Sequence, residues 1–309
     1  MMETEESFEQ FPLIDATDHE ILMHREAHFG GQFPIMLEYY QQGGKGIQSE
    51  FEIERIEQLA KLEKQLRQDL APLFLEGSEV ERIADAKEAY KRLRTLYEMK
   101  NLRSAYPRLI ADLILAEDED AQAEIDAIVA EKEKIVPSLI ELLRSEDFYD
   151  PLFPGYGLAP GLAVQCLGQI GDKRAIISLF EALGQGDFFD DEQILRALKQ
   201  IGEPAKQFLL RVVKGHPINE DNERAAIGLI QFKDDPEVTE TCFKLLQDSA
   251  VQKDPCLPTY LVMVCEGLKD PDKRQSFQAL AKEAHLPHQL KEDIKVILRD
   301  WDLEDKKEN

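Results

Sequence analysis

The phrase Leu167-Gly168-Gln169-Ile170-Gly171-Asp172 returns, worn but in register, as Leu198-Lys199-Gln200-Ile201-Gly202-Glu203, as Leu229-Ile230-Gln231-Phe232-Lys233-Asp234 and as Cys265-Glu266-Gly267-Leu268-Lys269-Asp270, with a weaker echo at Leu298 and Trp301. From Ile170 the closing apolar residues Ile201, Phe232, Leu268 and Trp301 follow at steps of 31, 31, 36 and 33 residues. A unit of that length has one apolar face to bury and does so by stacking as a helix pair, so the period predicts an all-α chain built around an α-solenoid. In the best copy the first helix opens near Pro137, where a missing N–H costs nothing in the first turn, and Val136, Leu139, Ile140, Leu142 and Leu143 supply its apolar face. The partner helix is predicted over about 160–170, with Ala163 and Cys166 small enough for close approach. Gly171 ends it and Asp172 caps the next helix; acids recur at that place as Glu203, Asp234 and Asp270.

The phrase resembles the HEAT-like repeats first noted in phycobilisome lyases, whose consensus closes a second helix with Leu-Gly-x-Ile-Gly-Asp. The resemblance covers residues 134–303, about five helix pairs, and is closest at Leu167 to Asp172; Lys233 and Lys269 stand where the consensus has glycine. It implies a superhelix and leaves activity open, since repeats of this kind serve scaffolds, lyases, hydroxylases and DNA glycosylases. The paired His-Glu motifs of the hydroxylases have no counterpart, because His216, His285 and His288 are followed by Pro217, Leu286 and Gln289. A chromophore-lyase-like activity remains a weaker alternative that the resemblance implies, with no residue to carry it.

Upstream the phrase is absent. Residues 51–75 and 79–98 read as long amphipathic helices separated by Glu76-Gly77-Ser78, an antiparallel hairpin in which Ser78 and Glu81 form a capping box. A shorter helix over 104–115 follows, and then Glu117 to Glu133, with eight acids against the single Lys132. This run reads as the solvated face of a helix that turns Ile125, Ile128 and Val129 inward. Glycines at 30, 31, 43, 44 and 46 break the first 45 residues into short pieces. The expected organisation is an irregular segment over 1–45, a helical N-terminal domain with the hairpin over 46–133, the solenoid over 134–303 and a charged tail over 304–309.

Among 309 residues, 61 Asp and Glu against 37 Lys and Arg leave a net charge of −24. Such a charge repels nucleic acid and anionic membranes unless a basic stripe is segregated on one face, and none is evident in the residue order. The expected partner is a protein or peptide, basic or apolar. Cys166, Cys242, Cys256 and Cys265 form no C-x-x-C pair, no apolar stretch follows the acidic N-terminus to act as a signal core, and none reaches transmembrane length. The expectation is a cytoplasmic, disulfide-free protein.

Half of the six histidines fall between residues 19 and 28. Glu20, His24 and His28, four residues apart, would stack on one helix face as ligands for zinc or iron, which makes a metal-dependent enzyme the alternative function. In His24-Arg25-Glu26-Ala27-His28 the glutamate stands one place too late for the His-Glu-x-x-His helix, and packing or capping histidines fit the same spacing, so the leading reading carries no cofactor. The loops that join the helices of the first two pairs are more informative. They carry Phe148, Tyr149, Phe153 and Tyr156 in one and Phe188 and Phe189 in the next, interleaved with aspartates. Exposed on one edge, these aromatics would anchor a basic, apolar segment; folded back, they would cover the array's end or dock the N-terminal region. The second helices offer another surface, where Gln165, Gln169, Gln193, Arg196, Lys199, Arg224 and Gln231 would read an extended peptide by hydrogen bonds. The function these features predict is a non-enzymatic protein-binding scaffold or adaptor.

Overall fold

The computed structural model describes residues 14–44, 46–99, 104–116, 121–185, 188–282 and 287–308, with the side chains of 188–190 and 304–308 left aside. Among the described residues every regular element is a helix, as the periodicity predicts, and none is long and apolar enough to cross a membrane. They divide into two compact units: one runs up to Glu124 and takes in Ser145–Pro160, the other comprises Ile125–Arg144 and the residues from Gly161 onward.

In the first unit Asp15 starts helix α1 (Ala16–His28), its carboxylate accepting the Asp18 amide at 3.0 Å while Asp18 accepts the Asp15 amide at 3.1 Å. Gly30 and Gly31 take positive φ and turn the chain into α2 (Phe33–Gln41). The stretch expected to be irregular therefore holds two helices, because its glycines join elements and do not abolish them. The long helix expected over 51–75 is likewise divided. Helix α3 (Ile53–Leu66) stops at Arg67, which sits in the left-handed region at φ 55, and the single turn α4 (Ala71–Phe74) follows.

Helix α5 (Gly77–Glu98) begins two residues earlier than Ser78 would require, since the reciprocal cap is made by Glu76 and Glu79, with the Glu76 amide donating to Glu79 at 2.6 Å. After α6 (Tyr106–Ile114) the packing is centred on α1, which meets both α3 and α5, while α2 lies on α3 and α6 on α5. That arrangement replaces the simple hairpin, for Ile21, Leu22, Phe33, Met36, Ile56 and Leu70 share one core.

The second unit begins within α7 (Gln122–Ala130), where Ile125 and Ile128 are buried as expected, and continues through α8 (Val136–Arg144). Next come α9 (Ala159–Ile170), α10 (Ile176–Ala182), α11 (Phe188–Ile201), α12 (Glu203–Val213) and α13 (Glu220–Ile230). The chain ends with α14 (Pro236–Leu245), α15 (Leu257–Cys265), α16 (Pro271–Leu280) and α17 (His288–Glu308). Packing proceeds from neighbour to neighbour: α8 on α10, α10 on α11, α11 on α12, α12 on α13, and then α13 and α14 on α15 and α15 and α16 on α17. Leu167, Leu198, Leu229 and Cys265 are fully buried, and Ile201, Phe232, Leu268 and Trp301 nearly so, as the recurring phrase demands, while Ile170, which closes the first copy, is half-buried. A leucine so buried contributes about 1.5–3 kcal/mol relative to exposure.

Caps occupy the expected places in part. Asp172 accepts the Arg174 amide at 2.8 Å and Asp270 that of Asp272 at 2.9 Å. Asp235, one residue after the expected Asp234, caps α14 by accepting from Glu237 at 2.9 Å. Glu203 lies inside the first turn of α12, where it meets Lys206 at 2.8 Å.

Small residues on α9 set its distance from α11. A Cβ at Gly168 would stand 2.8 Å from the Ala197 Cα and 2.9 Å from its Cβ, so the helices must part to admit a methyl group. Gly168→Ala should therefore cost about 1–3 kcal/mol by overpacking, outweighing the roughly 1 kcal/mol that alanine adds to a helix. Urea unfolding is the check; an unchanged or raised midpoint would mean that α11 yields without cost.

Candidate binding cleft

The same close approach shapes a cleft in the second unit. Gln165 and Gln169 lie one turn apart on α9, and Glu192, Gln193, Arg196, Ala197 and Gln200 face them from α11 around a volume of about 300 Å³. Gly161 lets the wall close in, since a Cβ there would come within 3.2 Å of Gln193 Oε1. That oxygen is buried and has no hydrogen-bond partner among the described residues. Arg196 donates to Glu192 at 2.9 Å, one turn back along α11, which puts one ion pair at the edge of an otherwise neutral amide surface. Each glutamine offers an acceptor oxygen and two donor hydrogens, the complement of a peptide backbone.

Of the other long polar residues, Lys199 donates to the Gln231 carbonyl and covers the Phe232 ring at 4.9 Å, and Arg224 pairs with Asp221 at 2.9 Å and lies over Phe180 at 5.4 Å. Both are committed to contacts within the chain, so of the three cations assigned to this surface Arg196 alone lines the cleft.

The aromatic edge loop is not an exposed platform. Phe153 is buried in the first unit with Leu152, Met23, Ile83 and Ala86. Tyr156 packs on His28 at 5.2 Å between ring centroids. Phe148 is half-buried, and Tyr149, 42% exposed, is the open member of the four. The segment folds back because Phe153 removes more apolar surface from water against α1 and α5 than it would on an open edge. Phe188 and Phe189 open helix α11 instead of lying in a loop, and their side chains fall outside the described residues.

Of the three histidines of α1, His19 is partly exposed and pairs with Glu79 at 2.7 Å, while His24 and His28 lie in aromatic packing. His24 is buried against Phe51 at 5.0 Å and His28 at 5.2 Å, and His28 also meets Tyr90 at 5.4 Å. Burial, with His28 and Arg82 nearby, lowers the His24 pKa from 6.5 to about 3; burial lowers that of His28 to about 4, against a hydrogen bond to the Leu152 backbone. Glu20 faces Arg82 at 3.4 Å, and Arg82 also holds Asp150 at 2.7 Å. No group of three His, Cys, Asp or Glu among the described residues is placed to hold a metal, so Glu20, His24 and His28 do not form the expected ligand set. Stacking on one face is necessary for such a site, but here aromatic rings fill the space a cation needs.

Two features escaped the reading of the sequence. One is the fully buried Arg25, clasped by Glu26, Glu63 and Asp69. The other is a basic groove on α5, for which the order of residues did hold a signal: positions 87–108 carry seven Lys and Arg against two Glu. The net charge of the whole chain masks it.

No known protein family and no curated protein matches this chain.

Proposed function

We propose that the chain is a non-enzymatic protein-binding adaptor whose second unit is a HEAT-like superhelix and whose glutamine cleft takes an extended peptide. The observation that carries this reading is the buried, unpartnered Gln193 Oε1 in a cleft walled by Gln165, Gln169 and Gln200. An amide oxygen left in that state costs free energy that a peptide N–H would recover. The neighbour-to-neighbour packing of α8 to α17 and the common burial of Leu167, Leu198, Leu229 and Cys265 support the superhelix. Glu192 at the cleft and the excess of acids favour a segment whose side chains are basic or apolar. Thiols at Cys166, Cys242 and Cys265, free and buried, with pKa values raised by burial, fit a reducing, cytoplasmic setting.

The test is selection of peptides from a random display library on the full chain, followed by fluorescence anisotropy of the selected peptides against a Gln165→Leu/Gln193→Leu variant. Losing two amide partners at about 1 kcal/mol each should weaken binding about 10- to 30-fold while the melting temperature holds. Failure to select any peptide, or equal affinity for the variant, would remove the cleft from the reading.

A further inference from the structure

The exposed face of α5 reverses the charge of the protein. Lys87, Lys91 and Arg94 recur at helical spacing and so share one side of the helix, beside Tyr90, Leu93 and Tyr97. Together with Leu115 they line a groove of about 680 Å³. Lys91 shares Glu88 with Arg92, at 3.2 and 3.7 Å, while neither Lys87 nor Arg94 has an ion-pair partner among the described residues. Tyr97 donates to Asp112 at 2.5 Å, which fixes one aromatic wall of the groove. Burial and that carboxylate raise the phenol's pKa, so the wall stays neutral. The window 87–108, at seven cations to two acids, stands in a chain whose net charge is −24.

Cations in excess of their acids above an apolar, tyrosine-bearing floor match one chemistry: carboxylates alternating with large apolar side chains. From Lys87 to Tyr97 the groove runs about 15 Å along the helix, the length of four or five extended residues. A nucleic acid would also meet the cations and stack on the tyrosines. It would, however, carry its phosphates past the end of the groove, where the rest of an acidic chain repels them within the roughly 8 Å range of unscreened charge. A short peptide ends where the cations end.

We propose that the α5 groove binds an acidic peptide segment of a partner protein, with carboxylates on Lys87, Lys91 and Arg94 and an aromatic or large aliphatic side chain against Tyr90 and Tyr97. This site is separate from the glutamine cleft and of opposite preference, so the proposal stands or falls independently of that reading.

The experiment uses the full chain and a fluorescein-labelled heptapeptide of alternating glutamate and phenylalanine, read by anisotropy at 50 and 300 mM salt. A peptide with lysine for glutamate and a labelled 20-nucleotide oligo(dT) run beside it. The expected result is saturable binding of the acidic peptide, weaker at the higher salt, at least tenfold weaker for Lys87→Glu/Arg94→Glu, and absent for the lysine peptide. Both replaced side chains are exposed, so the melting temperature should hold; Lys87→Gln/Arg94→Gln serves if the reversal prevents folding. Absence of saturable binding, or binding unchanged in the double variant, overturns the proposal. Oligo(dT) binding that is tighter than the peptide's and lost in the same variant assigns the groove to nucleic acid instead.

Discussion

Replacing Arg25 with alanine is expected to remove about 3 kcal/mol of stability, because it withdraws a fully buried cation from Glu26 and Glu63, which are largely shielded, while Asp69, 56% exposed, keeps its water. The guanidinium, 0% exposed, meets Glu26 at 2.7 Å, Asp69 at 2.5 Å and Glu63, and its face lies 4.5 Å from the centre of the Phe33 ring. Burial opposes its charge, yet the hydrogen bonds it donates to Asp69, Glu26 and Glu63 outweigh that and hold its pKa above the usual value. The carboxylates are tied in place: Glu63 accepts the Leu70 amide at 3.1 Å and Asp69 the Ala71 amide at 3.0 Å, so both belong to the turn between α3 and α4. Without the cation they repel one another at the joint that sets the course of the chain after Arg67. Arg25→Lys should recover part of the loss, since it restores charge without the planar fork. Urea unfolding of the full chain by far-UV circular dichroism measures the effect, and Trp301, the only tryptophan, reports the second unit alone. A loss below 1 kcal/mol would mean that water replaces the arginine.

Acid should weaken the first unit through its two buried histidines. His24 and His28 have folded pKa values of about 3 and 4, below the 6.5 of the unfolded chain, so between pH 6.5 and pH 4 the unfolded state binds protons that the folded state refuses. The stability they contribute is complete above pH 6.5 and declines as pH falls. At about 1.4 kcal/mol per histidine for each pH unit, the pair costs at most about 5 kcal/mol by pH 4.5. Beyond that value the slope eases as His28 and then His24 protonate in place. Melting temperatures between pH 7 and pH 4.5 should show this decline, and His24→Phe/His28→Phe should flatten it. A flat profile in the wild type would mean that the two imidazoles reach water.

The parts of the fold that were legible in the sequence are those where one physical requirement repeats. Leu167, Leu198, Leu229 and Cys265 announce buried positions because the same apolar place returns at each step of the phrase, even where Lys233 and Lys269 replace glycine. The N-terminal unit offers no such redundancy. Its α1 depends on a reciprocal cap between Asp15 and Asp18, and the break after α3 depends on a left-handed arginine where a glycine would have been visible. Aromatic residues in the 145–160 segment read equally well as an open hot spot or as core; only the distant Met23, Ile83 and Ala86 decide the matter, and contacts of that range leave no local trace. The glutamines of the cleft were visible one by one. What brings Gln165, Gln169 and Gln193 together is the spacing of α9 and α11, set by glycines whose role depends on the facing helix.

The division of the chain into units also orders events during synthesis. It leaves the second unit at Arg144 and re-enters it at Gly161, having spent sixteen residues in the first. When translation has reached Arg144, helices α1 to α6 are complete, yet Leu152 and Phe153, which cover Met23 and Ile83, do not exist. At typical rates of about 5–20 residues per second the ribosome needs roughly 1–3 seconds to supply them. During that interval the nascent first unit presents an apolar opening to whatever is near, and α7 and α8 are made before it can close. The first unit is thus finished by a segment made only after α7 and α8.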